Sequence, residues 1–389
     1  MKVITSCCSR FHIFDQASQL YLHKKLYKII HCGLKSKAKK MGIPIEMQES
    51  NIFIALMNYF SNKLPLFFSD IINHSTSVMA DNFIKKKIKK TNINEIDIFI
   101  GLSSFCLNSF KYLNNKKVIK ILDHGSLHPL YEREIIKQEC KKISIDPKHF
   151  IAPDWQVKRI VDEINESDFI MLLSEKAKES FINYGVDKNK IFVNHCGVDT
   201  NLFKYQSLKK FEDFTFLYCG QISPRKGVHK LIDAFNNIKI KNSRLIIIGP
   251  FSLSKEYNRL IKNKSLGKNI SFFGSVKQNN LSKIFSKSHA FILPSLADGF
   301  GLVTTQALSA NMKVLISKNA GSSEIIPNNV DIGYEFDINN LNELQNKMVE
   351  LFFNYDHQNH MIDNSYIQNL NWKNYGNRLN SFLSEIKKR

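Results

Sequence analysis

The sequence predicts an α/β fold in two domains, and three observations predict it. The chain of 389 residues is too long for one core, since single cores stop growing before about 300 residues and domains average about 150. Short apolar runs read as strands buried on both faces, because a strand covered on both sides loses the alternating pattern. Helical patterns separate most of these runs, which is the succession of a parallel sheet with crossover helices.

The clearest strands are Val3 to Ser6, Asp97 to Leu102, Val118 to Leu122 and Phe169 to Leu173 in the first half. In the second half they are Phe214 to Cys219, Leu245 to Ile248, Ile270 to Phe273, Ala290 to Leu293 and Val314 to Ile316. A polar, Lys-rich stretch from Asp199 to Glu212 separates the Gly197-Val198-Asp199 turn from a fresh strand, so the first domain is expected over 1–205 and the second over 206–372. The terminal segment carries Tyr375, Leu379, Phe382 and Ile386 at helical spacing and is expected to cross back to the first domain over about 373–389. Ligands of open parallel sheets bind at the carboxyl ends of the strands, so the cleft between the halves is the expected active site.

Composition narrows the class. An apolar fraction of 43% with 23% charged residues is that of a folded chain, not a disordered one. The net charge of +20 favours polyanionic partners such as anionic lipid or phosphorylated ligands. A bias toward Lys, Asn and Ile, of the kind an AT-rich coding sequence gives, accounts for part of it. Nucleic acid is disfavoured as a partner, because there is no helix-turn-helix cue, zinc pattern or aromatic RNP-like strand. The seven cysteines show no C-x-x-C pair, so they are expected to be reduced thiols in a cytoplasmic protein without a metal site. No signal peptide is legible, and no run reaches the roughly 18 apolar residues of a membrane span.

Two loops carry the chemistry. Strand Phe214 to Cys219 leads into Gly220-Gln221-Ile222-Ser223-Pro224-Arg225-Lys226-Gly227, and a helix with Leu231, Ile232 and Phe235 follows. Glycines with a basic pair between strand and helix offer free N–H groups and cations to a phosphate. Strand Ala290 to Leu293 leads into Pro294-Ser295-Leu296-Ala297-Asp298-Gly299-Phe300-Gly301-Leu302-Val303 and on to Gln306 and Ala307. An acid and two glycines ahead of a helix beginning near Leu302 gather N–H groups where an anionic or hydroxyl-rich ligand sits.

This second block resembles the nucleotide-sugar signature of glycosyltransferase family 4, P-S-x-x-E-G-F-G-x-x-x-x-E-A followed by G-x-P-V-I. Phe214 to Phe235 similarly resembles that family's strand and K-G loop, Ile270 to Val276 its F-x-G-x-V element, and Gly197 to Phe203 its G-V-D-x-x-x-F hinge entry. Four motifs recur in the family's order across roughly half the chain. The departures are Asp298 and Gln306, where the family has two glutamates, and Gln221, where it has arginine.

The resemblance implies the GT-B architecture, two facing Rossmann-like domains, and a retaining transfer of a hexose-type sugar from a nucleotide-sugar donor. It also implies, residue by residue, that Asp298 contacts the donor sugar and that Gly299, Phe300, Gly301, Leu302 and Val303 hold sugar and phosphate. Gln306 would bond the ribose through its amide. Lys226, with Arg225, would neutralise the departing diphosphate, and Gly274, Ser275 and Val276 would line the nucleobase. With no D-x-D motif to hold one, no metal or other cofactor is expected, and the leaving-group charge falls to Lys226 and backbone N–H groups.

The acceptor side is less marked. Strand Val118 to Leu122 ends in Asp123-His124-Gly125-Ser126-Leu127-His128. In similar transferases a His or Asp after this strand faces the reacting sugar, so His124 and His128 are both catalytic candidates with Lys226 and Asp298. His128 ranks ahead, because His124 lies close enough to the strand to be turned into it. Phe11 and His12, where the family has a Gly-Gly loop, are acceptor candidates. Basic stretches at Lys35 to Lys40 and Lys85 to Lys90, the second soon after Leu64-Pro65-Leu66-Phe67-Phe68, suggest apolar and cationic groups adjoining for an anionic membrane surface. Together with the resemblance they suggest a lipid-linked saccharide acceptor at the inner leaflet, in O-antigen, lipopolysaccharide or capsule assembly. A divergent non-catalytic GT-B protein and a nucleotide-sugar epimerase are the alternatives.

Overall fold

The computed structural model describes residues 1–8, 12–61, 64, 66–326, 332–355 and 362–388. Seven parallel strands form the first sheet: β1 (Val3–Cys7), β2 (Leu26–His31), β3 (Gln48–Ser50), β4 (Ile98–Leu102), β5 (Ile119–His124), β6 (Phe169–Leu172) and β7 (Ile191–Val193). Their order is β3-β2-β1-β4-β5-β6-β7. The second sheet holds β8 (Phe214–Cys219), β9 (Ser243–Ile248), β10 (Ile270–Gly274), β11 (Ala290–Leu293), β12 (Lys313–Ser317) and β13 (Gly333–Phe336), in the order β10-β9-β8-β11-β12-β13. Both sheets run outward in each direction from a central pair, β1 with β4 and β8 with β11. That is the doubly wound pattern, and its ligand crevice lies where the order reverses.

The strands with continuous apolar runs are the ones buried on both faces. All five residues of β1, of β4 and of β12 are buried, as are all four of β11. The strands absent from the sequence reading lack such a run. Lys28 interrupts β2 and turns its ammonium to Glu49, 3.1 Å away. Strands β3, β7 and β13 are three or four residues long and lie at sheet edges.

Between β7 and β8 the chain crosses from one sheet to the other, and it returns beside that crossing. The Val198 N–H donates to the Leu370 carbonyl at 2.8 Å, and Val198 bridges Asn371. The helix Trp372–Ile386 that follows packs Tyr375, Leu379, Leu383 and Ile386 into the core of the first sheet. Phe382 stacks on Phe192 of β7, with ring centroids 4.0 Å apart, adding a specific aromatic contact to the area buried. The seven cysteines are free thiols.

One expectation is corrected. Leu66–Lys89 forms a single helix of 24 residues, which spans about 36 Å at 1.5 Å per residue. Lys85 to Lys90 therefore lie at the far end of that helix from Phe68 and do not adjoin the apolar stretch. Lys87 pairs with Glu49 at 2.7 Å, and Lys89 sits over the Tyr112 ring at 5.0 Å.

Candidate active site

The carboxyl edges of the two sheets face each other, and the loops leaving β4, β5, β8 and β11 enclose a cavity of about 510 Å³ between them. The loop after β8 makes a tight turn at Pro224–Lys226 and ends on Gly227 at φ +66°. A Cβ at Gly227 would fall 1.9 Å from the Pro294 carbonyl oxygen, so only glycine lets this loop close onto the loop after β11. The same approach sets the Leu296 N–H on the Arg225 carbonyl at 2.8 Å.

Two charged side chains meet there. Asp298 is 7% exposed, and its carboxylate forms an ion pair with the Lys226 ammonium and accepts from Ser295 Oγ at 3.3 Å. Burial works to raise the Asp298 pKa, but the charges of Lys226 and Arg225 and the hydrogen bonds from Lys226 and Ser295 outweigh it and hold the carboxyl below its usual range. Arg225 donates from Nη1 to the Ala297 carbonyl at 2.8 Å and lies 3.9 Å from Glu132 of the first domain. Lys226, Arg225, Asp298, Phe300, Gly301, Leu302 and Val303 all line the cavity.

Gly299 lies where the two halves touch. Its carbonyl accepts from Ser174 Oγ at 2.6 Å, and a Cβ on it would lie 2.5 Å from the Gly125 carbonyl oxygen. Phe300 is buried at 2% exposure, with the His195 ring stacked 5.7 Å from it. Gln306, on the helix Val303–Ser309, faces a neighbouring cavity of about 770 Å³ with His12, Gly197 and Asp199, and Leu302 lines both cavities. Gly274, Ser275 and Val276 close β10 at its carboxyl end and line neither cavity.

The two histidines part ways. His124 ends β5 and lines the cavity, its Nε2–H donating to the Leu127 carbonyl at 3.1 Å and its Nδ1 accepting from Ser103 Oγ at 2.9 Å. Burial holds its pKa below the ordinary histidine value, which favours the neutral ring. His128 does not face the cavity. Its ring stacks on Tyr184 at 4.5 Å and meets the edge of Phe181, and burial, with a smaller contribution from His124, pushes its pKa down to about 4. The ranking of His128 ahead of His124 is thus reversed: the helix Pro129–Lys142 starts just after His128 and turns that side chain back onto the protein.

His12 is buried, and its Nε2–H donates to both Asp123 carboxylate oxygens at 2.9 Å. Gln16 donates to the same carboxylate at 2.6 Å and to Tyr375 Oη at 3.1 Å, tying β5, the first helix and the C-terminal helix together. Phe11 lies outside the described residues.

Several residues at the cleft escaped the sequence reading. Glu132 lines the cavity and accepts from Ser126 Oγ; an acid in the first turn after Pro129 was the available signal. Glu139 of the first domain accepts from His229 Nε2 of the second at 2.8 Å, with Lys230 Nζ 3.3 Å away. Glu324 accepts the N–H groups of Glu175 and Lys176 at 2.9 and 2.6 Å across the cleft. Nothing in the local sequence marks these last two as partners.

Residues 199–368 match the family model of glycosyl transferases group 1. Among curated relatives, the O-antigen chain mannosyltransferase RfbU of Salmonella typhimurium is 22% identical over 252 residues, 64% of this chain and 70% of that one. The next curated relatives are spanned over less than half of their length. Among solved structures, sucrose-phosphate synthase from Thermosynechococcus elongatus covers 99% of both chains at a TM-score of 0.69 and 14% identity. Anabaena Alr3699/HepE, solved in complex with UDP and glucose, likewise covers 99% of both at 0.67 and 17% identity. The two facing sheets and the loops that meet in their cleft give this chain the GT-B fold, and within it residues 199–368, the second sheet and its loops, are similar to the glycosyl transferases group 1.

Proposed function

We propose that the chain transfers a hexose-type sugar, with retention and without a metal, from a nucleoside-diphosphate sugar to a lipid-linked saccharide acceptor in surface-polysaccharide assembly. The observation that carries the reading is the Lys226–Asp298 pair on the cavity wall beside the loop Gly299 to Val303, with His124 opposite. A leaving nucleoside diphosphate gains charge as the bond to the anomeric carbon breaks. Preorganised cations and N–H groups stabilise that charge more than they stabilise the bound donor, which lowers the barrier. Lys226 and Arg225 supply the cations. Asp298 accepts hydrogen bonds from the sugar hydroxyls, and its charge positions Lys226 between itself and the phosphates.

His124 faces the sugar as a neutral ring fixed by Ser103 and Leu127, a positioning contact and not a strong acid. Gln306 reaches the ribose from the neighbouring cavity, where His12 and Asp15 also lie. HepE, on the same fold, was solved in complex with UDP and glucose, which supports a nucleotide-sugar donor here, and RfbU is an O-antigen chain mannosyltransferase, which supports hexose transfer in a polysaccharide setting.

The test is a donor screen with UDP-, GDP- and ADP-sugars in the presence of EDTA, following release of the nucleotide. Turnover of one donor that Lys226→Ala and Asp298→Ala both abolish is expected. Binding and turnover of none would overturn the reading, and turnover that disappears with EDTA would remove its metal-free part.

A further inference from the structure

We propose that the helix Ile52–Ser61 and the first half of the helix Leu66–Lys89 dock the protein on an anionic phospholipid bilayer, with the cavity mouth turned toward it. This deepens the functional reading above and rests on it only for what the membrane presents.

The observation is an apolar surface where a soluble face would be polar. Among the described residues, nine of the eighteen large apolar side chains that stand exposed fall between Ile52 and Met79. Phe53 is 62% exposed, Tyr59 and Phe60 58%, Phe68 56% and Ile71 51%. On Ile52–Ser61 the buried positions are Ile54 and Ser61, so this helix shows aromatic and aliphatic groups to solvent along its length. Clustered exposure of this size marks an interaction surface, since single exposed apolar residues are ordinary but contiguous ones are not.

Charge selects the occupant. From Asn51 to Met79 the sequence has one lysine and one acid, Asp70, so the apolar face itself carries almost no charge, and from Leu34 to Lys40 it has four lysines and no acid. The two segments leave neighbouring strands on the same edge: His31 of β2 pairs with Ser50 of β3, and Cys32 packs with Ile54 in one apolar cluster. Lys37, Lys39 and Lys40 are exposed on the first of these segments, and Lys37 and Lys40 also line the second cavity. A second copy of the chain, itself at +20, is repelled by such a rim, whereas anionic headgroups are attracted and the aromatic side chains enter the interface.

The surface is continuous with the cavity. Phe105 lines the cavity and packs on the Ile54 and Ala80 cluster. Ser77 Oγ donates to the carbonyl of Ser104, another lining residue, and the His74 ring lies 4.8 Å from Trp155, next to the lining residue Gln156. A bilayer seated on these helices would present a membrane-embedded substrate at the cavity wall formed by Ser104 and Phe105.

The experiment is co-sedimentation of the full chain with extruded vesicles of phosphatidylcholine alone and with 30% phosphatidylglycerol, alongside light scattering without vesicles. The protein is expected on the anionic vesicles as a monomer. Phe53→Ser with Phe60→Ser should lower partitioning at least about tenfold. Lys35→Gln with Lys39→Gln should lower it roughly 25-fold, about fivefold per lysine. The Phe pair should keep the wild-type melting temperature and the wild-type release of nucleotide from the donor. Failure to bind either vesicle overturns the proposal, as does a dimer in vesicle-free solution that Phe53→Ser dissociates. Vesicle binding without turnover of any donor would sustain the docking surface while counting against the transfer reading.

Discussion

Lys226 and Asp298, 72 residues apart in the chain, form an ion pair at the junction of the loops that leave β8 and β11. Both side chains are nearly enclosed, at 15% and 10% exposure, so each depends on the other to offset its desolvation. Removing one partner strands a charge, which typically costs about 3–5 kcal/mol in a buried pair. Asp298→Ala and Lys226→Ala should each lower stability by an amount of that order and reduce turnover at least about 100-fold. Asp298→Glu should recover part of both, because it keeps the charge on a side chain one methylene longer. Thermal unfolding and donor-release kinetics on the three variants check this. A stable, active Lys226→Ala protein would refute the role of the pair.

Gly299→Ala tests the closed arrangement. Its Cβ would lie 2.5 Å from the Gly125 carbonyl oxygen and 2.6 Å from the Ser126 Cα, and main-chain atoms give way less readily than side-chain ends. The substitution leaves the second sheet intact but holds the domains apart. The expected outcome is a larger radius of gyration by small-angle scattering, an unchanged affinity for the nucleotide and a fall in kcat, since positioning groups across the cleft is lost.

The fold was legible wherever burial on both faces wrote continuous apolar runs, as at β1, β4, β11 and β12. It was illegible at β2, where Lys28 reaches a carboxylate on the neighbouring strand, and at short edge strands, where few residues carry any pattern. The second-domain side of the site was readable because its residues are local: Lys226, Asp298 and Gly299 sit in loops whose strand-to-helix setting is visible in sequence. The first-domain side was not. Whether His124 or His128 faces the cavity depends on where the helix Pro129–Lys142 starts, and Glu139 and Glu324 find their partners only when distant segments fold together.

The Glu139 contact across the domains makes stability depend on acid. Burial disfavours the charged carboxylate, but the hydrogen bond from His229 and the charge of Lys230 outweigh it and hold the pKa down to about 2, against an ordinary value of 4.5. A depressed carboxyl pKa contributes stability that is fully present above about pH 4.5 and is lost as pH falls toward 2, a change on the order of 3 kcal/mol. Melting temperature measured from pH 2 to 6 should fall on the acid side. In Glu139→Gln, which still accepts from His229 but carries no charge, that fall should be shallower. Equal acid limbs in the two proteins would show that the carboxylate contributes nothing across this interface.

The Asp123 carboxylate couples the second cavity to the C-terminal helix. It accepts from His12 and Gln16, and Gln16 in turn donates to Tyr375 Oη on the helix Trp372–Ile386 and accepts from Thr5 Oγ1 at 2.9 Å. All five side chains are buried, so a lost acceptor is not replaced by water and costs about 1–3 kcal/mol for each donor stranded. Asp123→Ala strands His12 and weakens Gln16, and is expected to cost about 2–4 kcal/mol; Tyr375→Phe removes one weaker acceptor and should cost about 1 kcal/mol. Because both substitutions act on Gln16, their effects should not add. A double-mutant cycle by urea unfolding should give a coupling above about 0.5 kcal/mol, whereas independent sites would agree within that margin. Additivity would mean that Asp123 and Tyr375 act independently and that Gln16 does not couple the second cavity to the C-terminal helix, which Arg378 would still hold through Asn194 and the His195 carbonyl.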